Sequence, residues 1–303
     1  MCDLSVNPSA NPSVNPWWLA IRPKTLSMAI VPVSVGGVIA HLEAGVFEPI
    51  PLLAIVLAAM LIQVGTNLYN DAGDALRGAD GPDRLGPKRA VAEGWLEAAS
   101  VQRAAYLSFA LALLLGGYLV LLGGLPILLI GLLSLAAGLG YTAGKIPIAY
   151  TFLGELFVFL FFGVVAVAGT VWLLLAEWSV TALWSGSAIG LIAAAVLVVN
   201  NYRDIETDAP VGKRTLAVWL GKARTRQLYL LLILLPFALI AALVEPLQRP
   251  NLLWSMLLAL PLALYLGWSI YRTPHGRGLN RLLVQTAQLQ VLFAGLFMIG
   301  VYL

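Results

Sequence analysis

Two short stretches hold the residues best suited to chemistry. One runs Asn67-Leu-Tyr-Asn70-Asp71-Ala-Gly-Asp74-Ala-Leu-Arg77 and continues through Asp80 and Asp83 to Arg84. The other runs Asn200-Asn201-Tyr202-Arg203-Asp204-Ile-Glu206-Thr-Asp208 and leads into Gly212-Lys213-Arg214-Thr215. On a helix, residues three and four apart share a face, so Asn67, Asp71 and Asp74 make one ladder of oxygen donors, and Asn200, Asp204 and Asp208 make a second over two turns. Carboxylates a turn apart repel, and an Asp deep in a bilayer costs about 2.5–3.5 kcal/mol on insertion scales, so a counter-charge is required. Carboxylate and amide oxygens without Cys or clustered His suit a hard cation such as Mg²⁺, which is usually held by a few carboxylates plus substrate phosphate. With Arg and Lys interleaved, two such ladders would grip a diphosphate through bridging metal ions. The competing reading is a solvated loop whose acids and bases pair off. The recurrence of Asn-x3-Asp in both stretches argues against it.

These ladders need elements that end at a polar surface, and the composition says which. The 303 residues are 60% hydrophobic and only 11% charged, far from the roughly 25% charged usage of a soluble domain. A water-soluble globule and a disordered chain are both excluded. No charged residue lies between Arg103 and Lys145, a run too long for the roughly ten-residue alternating strands of a membrane barrel. The chain therefore reads as an all-α integral membrane protein. Nine spans are expected, at 26–41, 50–70, 101–122, 125–141, 152–176, 181–201, 227–244, 252–271 and 282–303, with Gly123-Gly124 separating the third from the fourth. Residues 1–16 repeat Asn-Pro, which opposes a helix, and are expected to be a disordered tail before a single membrane domain over 17–303; Cys2 in that tail carries no disulfide or metal role. Trp17 and Trp18 suit an interfacial anchor.

Under the nine-span count every Lys and Arg except Arg249 falls on one side, while Glu43, Glu48, Glu177 and Glu245 fall on the other. The positive-inside rule then puts the N-terminus and both Asp-bearing loops in the cytoplasm. Four helices separate the two motifs, so both point the same way, as a parallel pseudo-repeat. A transporter would call for charges at mid-membrane and inverted repeats. A phosphatidyl-transferring enzyme also uses Asp-rich helix ends, but its Asp-x2-Asp-Gly-x2-Ala-Arg pattern fails where Ala75 and Leu76 follow Asp74.

A diphosphate clamp at the rim of an apolar bundle implies a diphosphate whose other end is hydrocarbon. Ionisation in a water-excluding pocket would give an allylic cation that an electron-rich partner captures, which is prenyl transfer. Here the residues resemble the UbiA-type intramembrane aromatic prenyltransferases, and within them the 1,4-dihydroxy-2-naphthoate polyprenyltransferases. The resemblance extends from Arg22-Pro-Lys24-Thr25 through the first motif, Tyr141-Thr-Ala-Gly-Lys145-Ile-Pro147, Tyr150 and Gly154-Glu155, to the second motif and Gly212-Lys213-Arg214-Thr215-Leu216-Ala217. It implies nine helices around a central cavity with the active site on the cytoplasmic side. It also implies Mg²⁺, in two ions bridging the diphosphate, and transfer of a polyprenyl group to dihydroxynaphthoate with loss of diphosphate and CO₂. Many members of the superfamily space the first acids Asp-x3-Asp, whereas Asp71 and Asp74 are three apart, so Asp74, Asp80 and Asp83 all remain candidates to complete the first metal site.

Asn67, Asp71, Asp204 and Asp208 are the leading metal or diphosphate groups, with Asn200 and Asp74 next. Asn70 and Asn201 are expected to cap helix ends or support that shell. Lys145, alone in a short loop beside Tyr141 and Tyr150, is expected to touch diphosphate, and Glu155 to pair with it. Arg22, Lys24, Arg77, Arg84, Arg203, Lys213 and Arg214 are candidates for phosphate or substrate carboxylate. Tyr141 is a candidate to orient the aromatic acceptor or steady a cation with its ring. Phe157, Phe159, Phe161 and Phe162 are expected to face lipid or core, and His41 and His275 to be structural or solvated.

Overall fold

In a computed structural model, residues 14–45, 47–78 and 84–303 are described, and among them only helices and loops occur. A short helix α1 (Pro16–Ile21), capped by the Asn15 side chain accepting from the Trp17 amide, leads through a turn into α2 (Ser27–Ala44) and α3 (Pro49–Leu76). Next come α4 (Ala98–Gly140), α5 (Gly154–Leu175), α6 (Val180–Arg203) and the single turn α7 (Ile205–Asp208). Then follow α8 (Leu216–Ala241), α9 (Asn251–Arg272) and α10 (Leu279–Gly300). Residues 1–13, with most of the expected tail, and Asp80 and Asp83 lie outside the described residues.

Eight helices among the described residues are long and apolar enough to span a bilayer, so this is a multi-pass membrane protein. The expected count was nine, and the difference lies in α4. Its 43 residues would reach about 64 Å as a straight rod, twice the hydrocarbon core of a bilayer. Gly124, at φ 67° and ψ −152°, breaks it, a backbone state that a β-carbon would oppose. The chain then doubles back, because Phe109 in the first arm lies 3.4 Å from where a β-carbon on Gly138 of the second arm would sit. The second arm, 125–140, is about 24 Å long, shorter than a full span. Trp172 ties the bend to α5 by donating its indole N–H to the Gly123 carbonyl at 3.0 Å.

The most enclosed helix is α6, which packs Ile189, Ile192, Val198, Val199 and Tyr202 against α2, α8 and α10. Between membrane helices lipid offers apolar contact equal to that of Leu, so close packing of small residues decides the arrangement. Gly163 and Gly186 and Gly190 bring α5 and α6 together so closely that a β-carbon on Gly190 would overlap the Phe159 carbonyl oxygen. At that crossing α5 loosens into a π-turn over Leu160–Val164, a device that rotates the side chains on either side relative to one another.

Beside this core, α2, α3, both arms of α4 and α5 enclose a cavity of about 490 Å³, lined by Pro32, Ile62, Gln63, Tyr141, Phe161 and Leu173 among others. Phe157, Phe161 and Phe162 all line it, which corrects the expectation of lipid or core positions for Phe157 and Phe161, while Phe162 also packs on a small core cluster with Met28, Val158 and Val196. A regular 3.6-residue period does not hold across the π-turn, so the pattern could not show it. Phe159 alone packs on the main core.

Candidate active site

The polar residues gather at one end of the bundle, where α3 and α6 end. The helix α3 carries Asn67, Asn70, Asp71 and Asp74 on its last turns, all buried. Asn67 donates its amide to the Ile21 carbonyl at 2.8 Å and to the Thr25 hydroxyl at 3.0 Å, which leaves its oxygen with only a 3.5 Å contact from Gln63. Asn70 is the hub. It accepts from Arg22 and from Arg89, each at 2.8 Å, and donates to Asp74 and to the Thr142 hydroxyl, each at 3.0 Å. Arg22 reaches it from a left-handed backbone conformation (φ 56°), a strained state for a residue with a β-carbon, which turns the chain between α1 and α2 and aims the guanidinium at α3.

Asp71 is 1% exposed and accepts from the Val91 amide at 3.0 Å, while its second oxygen has no hydrogen-bond partner and lies in the fields of Arg22 and Arg84. A buried carboxylate oxygen left open costs free energy unless something fills it. Asp74 accepts from the Tyr150 hydroxyl at 3.1 Å and has Arg89 at 3.8 Å. The close approach of Thr142 to Gly73, where a β-carbon would come within 2.8 Å of a methyl group, seats the 141–150 loop on α3.

The second ladder is not one continuous face. α6 stops at Arg203, Asp204 adopts φ −97° and ψ 7°, and helix resumes only for the turn to Asp208, correcting the expected two-turn run. Arg203, 3% exposed, grips both oxygens of Asp204 at 2.7 and 2.6 Å, and also donates to Asn200 at 3.0 Å and Asn280 at 2.6 Å. Asn200 contacts the Asn201 oxygen at 3.4 Å, and Asn201 donates to Glu155 at 2.8 Å. Glu155 therefore partners Asn201 and not Lys145, a correction to the expected pair. Asp208 has the Lys213 ammonium at 3.6 Å, and burial above all, with the Asp204 charge adding and Lys213 opposing, pushes its carboxyl up to about 6.

Tyr150 joins the two halves. Its hydroxyl is on Asp74, while its ring faces the Lys213 ammonium at 4.8 Å and the Arg77 guanidinium at 5.9 Å. The Arg214 amide donates to the Tyr150 carbonyl at 2.9 Å, fixing the second loop to the first. Arg77 also donates to the Gly144 carbonyl at 3.1 Å. Lys145 and Arg214 are exposed and share a smaller cavity of about 290 Å³ on the outer side of Tyr150. Arg84 donates to the Pro87 carbonyl at 2.9 Å, and Lys24 is exposed on the turn before α2. Tyr141 closes the end of the large cavity beside Gln63 and Thr66, in the electrostatic field of Glu155 and Asp74.

Sequence reasoning missed Arg89, Thr142 and Gln63 here. One-sided cation sorting gives Arg89 no distinction from its neighbours; the apolar Ala90-Val91 that follows it is the only sign that it turns inward.

No three carboxylate, His or Cys side chains converge as a closed metal cage among the described residues. That fits a Mg²⁺ site completed by substrate phosphate, since this ion usually takes only one or two protein carboxylates and keeps waters. The open Asp71 oxygen and the lightly engaged Asn67 oxygen, four residues apart on one helix face, are hard donors of the required kind.

An all-helical membrane bundle with paired Asn/Asp helix ends over an apolar cavity defines a class of intramembrane transferase, and the family follows. Residues 29–300 match the UbiA prenyltransferase family, and the chain belongs to it. It is 35% identical, over 95% of both chains, to a 1,4-dihydroxy-2-naphthoate octaprenyltransferase of Escherichia coli (strain K12). It is 43% identical to the enzyme of that name from Mycobacterium tuberculosis (strain ATCC 25618 / H37Rv), over 70% of this chain and 72% of the relative. Among solved structures, a UbiA homolog from Aeropyrum pernix K1 shares the fold with a TM-score of 0.71 at 18% identity, covering 92% of this chain and 98% of the other. A UbiA homolog from Archaeoglobus fulgidus bound to DMAPP and Mg2+ does so with a TM-score of 0.69 at 16% identity, covering 95% and 100%.

Proposed function

We propose that this protein transfers a polyprenyl group from its diphosphate to 1,4-dihydroxy-2-naphthoate, releasing diphosphate and CO₂ and giving demethylmenaquinol. The observation that carries the reading is the junction at Tyr150, where Asp74 of the first motif and Lys213 with Asp208 of the second meet at one end of a bundle that also encloses an apolar cavity. The names of the full-length relatives supply the acceptor.

Asn67, Asp71 and Asp74 with Asn200, Asp204 and Asp208 would hold two Mg²⁺ ions. Bound there, the metal would neutralise the leaving diphosphate. Arg22, Arg77, Arg84, Arg203, Lys213 and Arg214 provide charge for the phosphate oxygens or the acceptor carboxylate, and Lys145 and Lys24 lie at the rim. Tyr141 and the Phe157, Phe161 and Phe162 rings exclude water from the allylic carbon and present π-faces to developing positive charge. The active-site end faces the cytoplasm of a bacterial inner membrane, in keeping with the one-sided Lys and Arg, and counting the α4 hairpin as two gives nine passes.

Membranes carrying the protein, Mg²⁺ and octaprenyl diphosphate, offered dihydroxynaphthoate, hydroxybenzoate and homogentisate in parallel, test the assignment by product mass. A decarboxylated prenyl naphthoquinol is expected. Prenylation of hydroxybenzoate or homogentisate with the naphthoate left unchanged contradicts the acceptor.

A further inference from the structure

Two carboxylate oxygens at this end of the bundle are buried with no hydrogen-bond partner, one on Asp71 and one on Glu155. Their surroundings differ. Asp71 sits among Arg22 and Arg84, as a metal or phosphate site requires. Glu155 is 5% exposed, accepts from Asn201, lies within electrostatic range of Tyr141, and has no ion pair with any described Lys or Arg. The other described aspartates of the two motifs are engaged: Asp204 by Arg203, Asp208 by Lys213, and Asp74 by Tyr150 and Asn70. Among the described acids buried at this end of the bundle, only Glu155 offers an open oxygen away from the cations.

Its place in the fold puts that oxygen near the Tyr141 end of the cavity. Glu155 opens α5, and the residues three and seven further on, Val158 and Phe162, line the large cavity. Glu155 and Val158 share a face of the regular first turns of α5, so Glu155 stands about one turn beyond the cavity wall at the Tyr141 end. Asn201 donates to Oε1 at 2.8 Å and so fixes the rotamer that leaves Oε2 open. A hydroxyl arriving beside Tyr141 is the donor this oxygen lacks, and a buried acceptor of that kind calls for one.

We infer that Glu155 is the proton acceptor and donor of the transfer reaction, taking the proton of the acceptor hydroxyl next to the attacked carbon and returning it at the end. The inference rests on the proposed function. The ring carbon bearing the carboxylate forms its bond to the prenyl carbon as the prenyl carbon–oxygen bond to diphosphate breaks, with that electron pair leaving on the diphosphate. The hydroxyl proton passes to Glu155 Oε2, and the ring oxygen becomes a ketone. The carbon–carboxylate bond then breaks, CO₂ departs, and its electron pair restores the aromatic ring with negative charge on the same oxygen, which recovers the proton from Glu155. No proton is gained or lost overall. Asn201 acts as a positioning residue that keeps Oε2 facing the ring.

The test is Glu155→Gln in the full chain, with three measurements. The first is Mg²⁺-dependent binding of the prenyl diphosphate, the second is kcat for prenyl transfer at neutral pH, and the third is the rate as pH is raised. Binding within about twofold of wild type and a kcat lower by about a hundredfold are expected, a general base contributing about 10²–10⁴-fold. The rate of the variant should climb toward wild type as the acceptor hydroxyl ionises without help. A kcat within threefold of wild type, or a loss that persists at every pH, overturns the assignment. If Glu155→Gln fails to bind the prenyl diphosphate, Glu155→Asp decides: kcat lowered at least tenfold with unchanged KM for the prenyl diphosphate supports the role, and unchanged kcat refutes it. Absence of naphthoate prenylation by the wild-type protein is a different failure, that of the proposed function.

Discussion

If the prenyl tail occupies the large cavity, a plug partway along it should discriminate substrates by length. Gly169 is such a point: it lines the cavity, and a β-carbon there would meet only the Ile130 side chain, at 3.2 Å, so Gly169→Phe can be accommodated by a rotamer shift at Ile130. From Phe157 to Gly169 the helix rises about 18 Å. An extended chain advances roughly 1.2 Å per bond, so a four-bond isoprene takes about 5 Å, and three to four units fit below the plug. A geranyl chain ends short of it. An octaprenyl chain must bend out into the bilayer, and because lipid is as apolar as the cavity wall the lost burial costs little. The penalty is the bend itself, two or three off-minimum torsions at about 0.5–1.5 kcal/mol each. Taking about 1 kcal/mol for each, a total of about 2–3 kcal/mol corresponds to roughly a 30- to 150-fold loss in kcat/KM. Transfer assays with geranyl and octaprenyl diphosphates in parallel measure it. The octaprenyl value should fall by that factor while geranyl stays within about threefold. Equal losses for both lengths, or none for either, refute the placement of the tail.

Other outcomes follow from the same geometry. Asp208 must ionise to act as a ligand, and its carboxyl lies at about 6 instead of the ordinary 3.8; Mg²⁺-dependent prenyl diphosphate binding should therefore weaken about tenfold from pH 7 to pH 5, the acid side being the protonated, non-ligating form. Tyr150→Phe removes the hydroxyl from Asp74 but keeps the ring under Lys213, and should raise KM for the prenyl diphosphate by roughly two- to tenfold, the value of about 0.5–1.5 kcal/mol for one hydrogen bond. Gly190→Leu forces α5 and α6 apart at the Phe159 carbonyl, and a thermal unfolding scan should show a loss of about 1–3 kcal/mol, typical of overpacking.

Much of this arrangement is legible in the sequence because it follows from charge and hydrophobic length. The apolar runs fix where helices lie, and Asn67, Asp71 and Asp74 do share one face because α3 continues unbroken to Leu76. The second motif looked equally regular, but helix is interrupted at Asp204, where Arg203 holds both carboxylate oxygens; a local ion pair overrides periodicity in a way no spacing reveals. The aromatic wall was misplaced for a different reason. A π-turn at Leu160–Val164 changes the register of Phe161 and Phe162, which line the cavity, and it coincides with the close approach of Gly163 to Gly190, residues distant in sequence. Glu155 and Lys145 looked like neighbours because only ten residues separate them, yet Glu155 turns to Asn201 on α6, a partner that tertiary packing alone supplies. Arg89 joins Asn70 and Asp74 from a loop whose cations all look alike in sequence.

The central claim is that the two Asp motifs form one binding site, and a double-mutant cycle tests it most directly. Mg²⁺-dependent binding of the prenyl diphosphate would be measured for Asp71→Asn, Asp208→Asn and the pair. Groups that act as a unit are strongly non-additive, whereas independent groups add. Each single substitution should abolish most of the affinity, with the double variant losing little more than either alone. Losses that multiply across the two substitutions would mean two separate sites and would contradict the account.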